Sequence, residues 1–231
     1  MMKSKELRVK AWNSLKGKYW MAFAVAIVLG ILASIGTNFA TFSQNLMNIV
    51  NSVDPAEMDQ TMAVGALVIS GSALIIAIIG LLIDIFVGAP ATIGLCNYFI
   101  KNTDSKPSFS DAFSGFKVKY GRNIGTLLLV AIKSILWTCL FIVPGIIKMF
   151  EYAIIPYILA DDPEISSKDA FKKANLMMKG NKWRLFKLDF SFIGWALLAC
   201  LTCGIGAFLL VPYVEAAKAE FYVELKNKCA E

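Results

Sequence analysis

Four apolar stretches, Tyr19 to Phe42, Met62 to Ile100, Ile124 to Ala160 and Leu188 to Val214, alternate with polar segments at residues 1–18, 101–122, 161–187 and 215–231. The first stretch is free of charge and long enough for one helix across a hydrocarbon core of roughly 30 Å. It is also too long for the apolar centre of a secretory signal, so it is expected to stay as a first transmembrane helix. The second is interrupted only by Asp84. One crossing fits between Met62 and Ile83, and Ile85 to Ile100, with Gly88, Pro90 and Gly94, continues as a kinked extension.

The third stretch has Pro144-Gly145 near its middle, and such a pair suits the tip of a tight helical hairpin. The fourth contains Cys203-Gly204-Ile205-Gly206. It reads either as one crossing or as a second hairpin whose return arm runs on into Glu215 to Leu225, with Glu215, Lys218 and Tyr222 on one face.

An internal repeat favours the hairpin. Ser108-Phe-Ser-Asp111-Ala112-Phe113 and Ser166-Ser-Lys-Asp169-Ala170-Phe171 share S-x-x-D-A-F, close to a capping box, so each predicts a helix start. Apolar residues then recur at helical spacing, and each short helix is expected to end on a left-handed glycine, Gly121 or Gly180. The N-terminus repeats the ending: Lys16-Gly17-Lys18-Tyr19-Trp20 matches Lys179-Gly180-Asn181-Lys182-Trp183, after an apolar stripe of Leu7, Ala11 and Leu15. Basic amphipathic helices with Trp20 and Trp183 at their exits belong at a membrane interface. Each return arm also holds a proline, Pro90, Pro156 or Pro212.

The expected fold is therefore all-α: a polytopic membrane protein of six transmembrane helices, built as three interfacial-helix-plus-hairpin repeats. Residues 1–231 would form one integral membrane domain, with repeat units at about 1–100, 101–160 and 161–231.

Charge sets the orientation. Of the 23 Lys and Arg residues, 21 fall in the four polar segments, whereas the stretch from Ser43 to Thr61 has none and carries Asp54, Glu57 and Asp59. Positive charge is retained on the cytoplasmic side, which predicts an even number of crossings between basic segments and both termini in the cytoplasm of a plasma-membrane protein. The net charge of +6 then needs only membrane lipids as partners and no nucleic acid.

Composition agrees, with 57% hydrophobic and 17% charged residues. The chain has no His, which removes the commonest general base and most catalytic zinc sites. It has no G-x-x-x-x-G-K-[ST] loop either. The expectation is a non-enzyme without cofactor or metal.

The order Val143-Pro144-Gly145, Asp161-Asp162-Pro163, Asp169-Ala170-Phe171 and Met178-Lys179-Gly180-Asn181-Lys182-Trp183-Arg184-Leu185-Phe186 resembles a family of bacterial integral membrane proteins known as domain of unknown function 975. It also looks like the six-helix membrane region that precedes the catalytic barrel in some glycerophosphodiester phosphodiesterases; no such barrel fits here, so that activity is not carried over. Ala174 stands where that pattern usually has Ser, which weakens the second likeness. The resemblance implies a Gram-positive-type plasma-membrane protein with no established reaction.

Charges inside apolar helices are the sharpest chemical signal, since each is costly at helix centre and is seldom kept without a partner or a task. Asp84, Lys133, Lys148 and Glu151 qualify. Asp84 lies in a stripe of small residues, Ala66, Ser70, Ala73, Ala77, Gly80 and Gly88, that should face protein. Glu151 is expected to pair with Lys133 across the hairpin or with Lys148 on its own arm. The group reads as a structural ion pair with a snorkelling lysine, or as a polar or proton-coupled route.

Cys200-x-x-Cys203 has the spacing of a redox or metal motif but suits small apolar packing as well, with no second pair to complete a metal site. Two functional readings follow. One is the binding or movement of a small amphiphile, lipid or peptide through the seam of the hairpins. The other is a structural or regulatory role by assembly with other membrane proteins.

Overall fold

The computed structural model describes all residues except 1, 55–58, 105–106, 203–204 and 231, with the side chains of 200, 205 and 230 also outside the description. Among the described residues every regular element is helical. The order is α1 (Ser4–Leu15), α2 (Tyr19–Asn51), α3 (Gln60–Ile83), a π-turn (Asp84–Gly88) and α4 (Ala89–Asp104). A 3-10 turn (Phe109–Phe113), α5 (Ser114–Lys117), α6 (Tyr120–Leu140), α7 (Ile142–Tyr152) and α8 (Ile155–Asp161) follow. α9 (Ser167–Met178), α10 (Lys182–Leu201) and α11 (Ile205–Ala230) complete the chain.

Among the described residues, four segments are long and apolar enough to cross a membrane: Tyr19–Asn51, Gln60–Asp104, Tyr120–Leu140 and Ile142–Asp161. Their outward faces carry large apolar side chains, Leu67 at 73%, Ile135 at 62% and Val143 at 68% exposed. A surface of that kind needs a covering, and hydrocarbon supplies it without hydrogen-bonding demands.

The chain divides into two compact units, 31–89 and the remainder. Within 31–89, the stretch of α2 in this unit and α3 run antiparallel and touch at Gly36 and Gly80. A Cβ on Gly36 would sit 2.2 Å from the Gly80 carbonyl oxygen, and one on Gly80 would sit 2.7 Å from that of Gly36. Ala73, Gly80 and Gly88 are buried along the same face of this segment, so the small-residue stripe packs inside the protein as expected. α2 runs on to Asn51 and α3 begins at Gln60, so most of the stretch from Ser43 to Thr61 that lacks Lys and Arg is helical.

The second unit is built around the amphipathic helices. Leu7, Ala11 and Leu15 of α1 are buried, and α1 packs on α11, which also packs on α10. Ala170, Ala174, Met177 and Met178 of α9 join Ile155, Ile158 and Leu159 of α8 in the core. Ion pairs hold this layer at its edge: Lys10 with Glu220 at 2.8 Å, Arg184 with Glu224 at 2.8 Å, and Lys226 with Asp161 at 2.7 Å. The Met2 amide donates to Glu224 Oε1 at 3.0 Å, so the two ends of the chain are neighbours.

Both anticipated helix starts are present. Ser108 and Asp111 form a reciprocal capping box, and the Ser166 hydroxyl oxygen accepts from the Asp169 amide at 3.1 Å. Gly17 and Gly180 both adopt φ +78, the left-handed conformation that ends α1 and α9.

Three local expectations are corrected. The second short helix is a 3-10 turn plus one α-turn, and Gly121 does not cap it, being inside α6; Lys119 takes the left-handed conformation at φ 46. The reason is Asn123, whose side-chain amide donates to the carbonyls of Gly115 and Val118 at 3.2 and 2.9 Å and satisfies groups a glycine turn would otherwise leave to the backbone. The α6–α7 hairpin turns at Phe141, in extended conformation, and not at Pro144-Gly145. Proline suits the first turn of α7, where no intrahelical donor is required, and Gly145 instead admits the backbone of Thr138, 2.6 Å from where its Cβ would be.

α10 and α11 also form an antiparallel hairpin. Gly206 donates to Thr202 Oγ1 at 2.9 Å near the turn, Phe192 meets Tyr213 edge-on at 5.3 Å, and Arg184 reaches Glu224 at the far end.

Candidate functional site

Three of the four anticipated intramembrane charges come together. α6 and α7 pack antiparallel, and α9 lies against both, so Lys133, Lys148 and Glu151 meet the side of α9 that carries Phe171, Lys172 and Asn175. Glu151 is 2% exposed and uses both carboxylate oxygens: Lys148 donates to Oε1 at 2.8 Å and Lys182 to Oε2 at 2.5 Å. The i, i+3 partner anticipated from the sequence is present. The cross-hairpin pair with Lys133 is not, because Lys133 Nζ sits 3.7 Å from the centroid of the Phe171 ring.

Lys182 was not foreseen as a member. It starts α10 directly after the left-handed Gly180, and that turn swings it back toward α7. No pattern in the sequence singled it out, since it stands opposite Tyr19 in the match of Lys179–Trp183 with Lys16–Trp20. Lys148 also lies 5.7 Å from the Trp137 ring centroid and 5.9 Å from that of Tyr152.

Asp84 belongs to the 31–89 unit. It opens the π-turn, its side chain lies against Gly36, and its Oδ1 is buried without a hydrogen-bond partner among the described residues. Such π-turns insert one residue into a helical ladder and re-aim the side chains that follow.

Trp20 and Trp183 are 74% and 63% exposed, Trp183 stacking on Phe186 at 4.8 Å. The Cys200–Cys203 pair cannot be placed, since Cys203 lies outside the described residues. No group of metal-ligating side chains occurs among the described residues.

A separate cleft of about 480 Å³ opens between α1, the start of α2 and the α10–α11 hairpin. Trp12, Tyr19 and Tyr213 form an aromatic cluster at one end, with Trp12 6.1 Å from each tyrosine ring. Leu198, Leu209 and Leu210 line the rest. The Tyr19 hydroxyl donates to the Leu209 carbonyl at 2.5 Å, tying α2 to α11 across the cleft. No sequence motif marked this cleft, because its walls come from segments about 190 residues apart.

Elsewhere, pKa shifts are local. The Lys101 ammonium, 2.6 Å from Asp111, and the Ser108 amide hold the Asp111 carboxyl below its ordinary value. Burial pushes the Glu220 carboxyl up, opposed by Lys10.

The helices, their outward apolar faces and the charged cluster within a hairpin define an all-helical membrane protein. Residues 120–229, from the start of α6 to near the end of α11, match the family described as Protein of unknown function (DUF975). The match does not extend to the likeness with the membrane region of glycerophosphodiester phosphodiesterases. No curated protein and no solved structure matches the chain.

Proposed function

We propose that this chain is a non-catalytic, multi-pass protein of the plasma membrane that binds or moves a small amphiphile. The observation that carries the reading is the cleft of Trp12, Tyr19 and Tyr213. Its body is apolar, its aromatic end bears hydroxyl and indole groups, and its volume of about 480 Å³ lies in the range of small-molecule sites. An amphiphile offers the same pairing of an apolar chain and a polar end.

The six-crossing arrangement with cytoplasmic termini belongs to the same proposal. It is supported by the partition of lysine and arginine, by the antiparallel α10–α11 hairpin, and by the adjacency of the two chain ends. In this reading the basic segments hold anionic headgroups, and Trp20 and Trp183 anchor at the interface. The assembly reading has less support, because Gly80 and Gly88 of the small-residue stripe meet α2 of the same chain.

The test is native mass spectrometry of the full chain after exchange into a delipidating detergent, with and without Leu209→Trp, which would fill the cleft. Wild type should retain one more lipid or fatty amphiphile than the variant. Equal retention refutes the cleft as the binding place.

A further inference from the structure

The lysine cluster around Glu151 has more positive charge than the chain neutralises. Lys133, Lys148 and Lys172 line a pocket of about 320 Å³ between the α6–α7 hairpin and α9, and Lys182 stands behind it. Four lysines thus gather around one carboxylate, Glu151, whose two oxygens are already taken by Lys148 and Lys182. Lys133 and Lys172 take part in none of the ion pairs among the described residues. Lys133 rests on the face of Phe171 at 3.7 Å, a contact that holds an ammonium in place without cancelling its charge.

Tyr152 is 7% exposed and Phe171 half-buried, so these two rings make a packed wall, whereas Lys172, Asn175 and Leu176 of α9 are exposed and form the open side through which an anion can enter. The side-chain amide of Asn175 stands in the lining as a neutral donor. The three lysines come from three different helices, α6, α7 and α9, and so approach from different directions. An anion with several oxygens spread around one centre meets that arrangement better than a planar carboxylate, and lysine is an established point-charge partner of phosphate.

We infer that this pocket binds the phosphate group of an anionic ligand, either a phospholipid headgroup or a soluble phosphate ester. Lys133 and Lys172 supply the unmatched charge, Asn175 a hydrogen bond, and Glu151 fixes Lys148 in position. The site is distinct from the aromatic cleft and does not depend on it.

The experiment uses the full chain in phosphatidylcholine nanodiscs. One arm titrates phosphatidylglycerol into the discs; the other adds glycerol 3-phosphate to the solution. Binding is read by lysine amine chemical shifts and by thermal unfolding. Saturable perturbation of the Lys133 and Lys172 signals is expected in one arm. The lipid is the source if phosphatidylglycerol alone gives it, and a soluble ester is the source if glycerol 3-phosphate does.

K133M and K172Q should each weaken the effect at least fivefold, whereas L209W should leave it unchanged. Lys172 is exposed, so K172Q tests the site even if K133M fails to fold. Saturation in neither arm, or wild-type binding by K172Q, overturns the assignment.

Discussion

Removing both lysines from Glu151 by Lys148→Ala and Lys182→Ala would leave a carboxylate that is 2% exposed with no cationic partner. Stripping the partner from a buried charge costs about 3–5 kcal/mol. The lysines are themselves 25% and 30% exposed, and each single replacement should cost less, because one ammonium still reaches the carboxylate. In a chain of this size each kcal/mol moves the melting temperature by about 2–4 °C, so the double variant should melt about 6–20 °C lower. Adding Glu151→Gln to the double variant should recover much of the loss, since a neutral amide costs far less to bury than an ion. Thermal unfolding in one detergent, followed by tryptophan fluorescence, compares wild type with each of these variants. A double variant within about 2 °C of wild type, or no recovery on adding Glu151→Gln, would refute the reading of Glu151 as a desolvated anion held by two cations.

Further outcomes follow from the same geometry. Gly121→Ala should be neutral or stabilising by about 0.5–1 kcal/mol because Gly121 is helical, whereas Gly17→Ala and Gly180→Ala should destabilise, since both need φ +78; thermal unfolding distinguishes them. Gly80→Val should disrupt the α2–α3 contact at a cost of about 1–3 kcal/mol or more, and faster amide exchange in 60–88 would reveal it. The Asp111 carboxyl lies below its ordinary value of 3.8, so the stability it lends the 108–117 turn is present above that value and lost as pH falls through the lower folded one. Protection of the turn should therefore fade in acid, and Asp111→Asn should abolish that dependence. Glu220 behaves oppositely: burial raises its carboxyl above 4.5, so the native state holds its proton more tightly and stability falls as pH rises from 4.5 through the raised value. Lys10→Ala should deepen that fall, and melting curves at several pH values would show it.

Much of the architecture was legible in the residues themselves. The apolar runs predicted helices through Tyr19, Met62 and Ile124 because span length is fixed by rise per residue and bilayer thickness. The S-x-x-D-A-F motifs predicted helix starts at Ser108 and Ser166, and Gly17 and Gly180 predicted left-handed ends, because caps are decided by neighbours within four residues. Where a side chain from outside that window intervened, the local rule failed. Asn123 reaches back to the carbonyls of Gly115 and Val118, and the turn passes to Lys119.

The sequence by itself determined the long apolar helices that begin near Tyr19, Met62 and Ile124, and which charges are expensive enough to need a partner. Only the tertiary structure decided the partners. Periodicity shows which face of a helix is apolar but not which neighbour it will meet, so neither Lys182 at Glu151 nor Lys133 on Phe171 could be read from spacing. The aromatic cleft has the same origin, since Trp12, Tyr19 and Tyr213 become neighbours only when the first and last helices of the chain pack together.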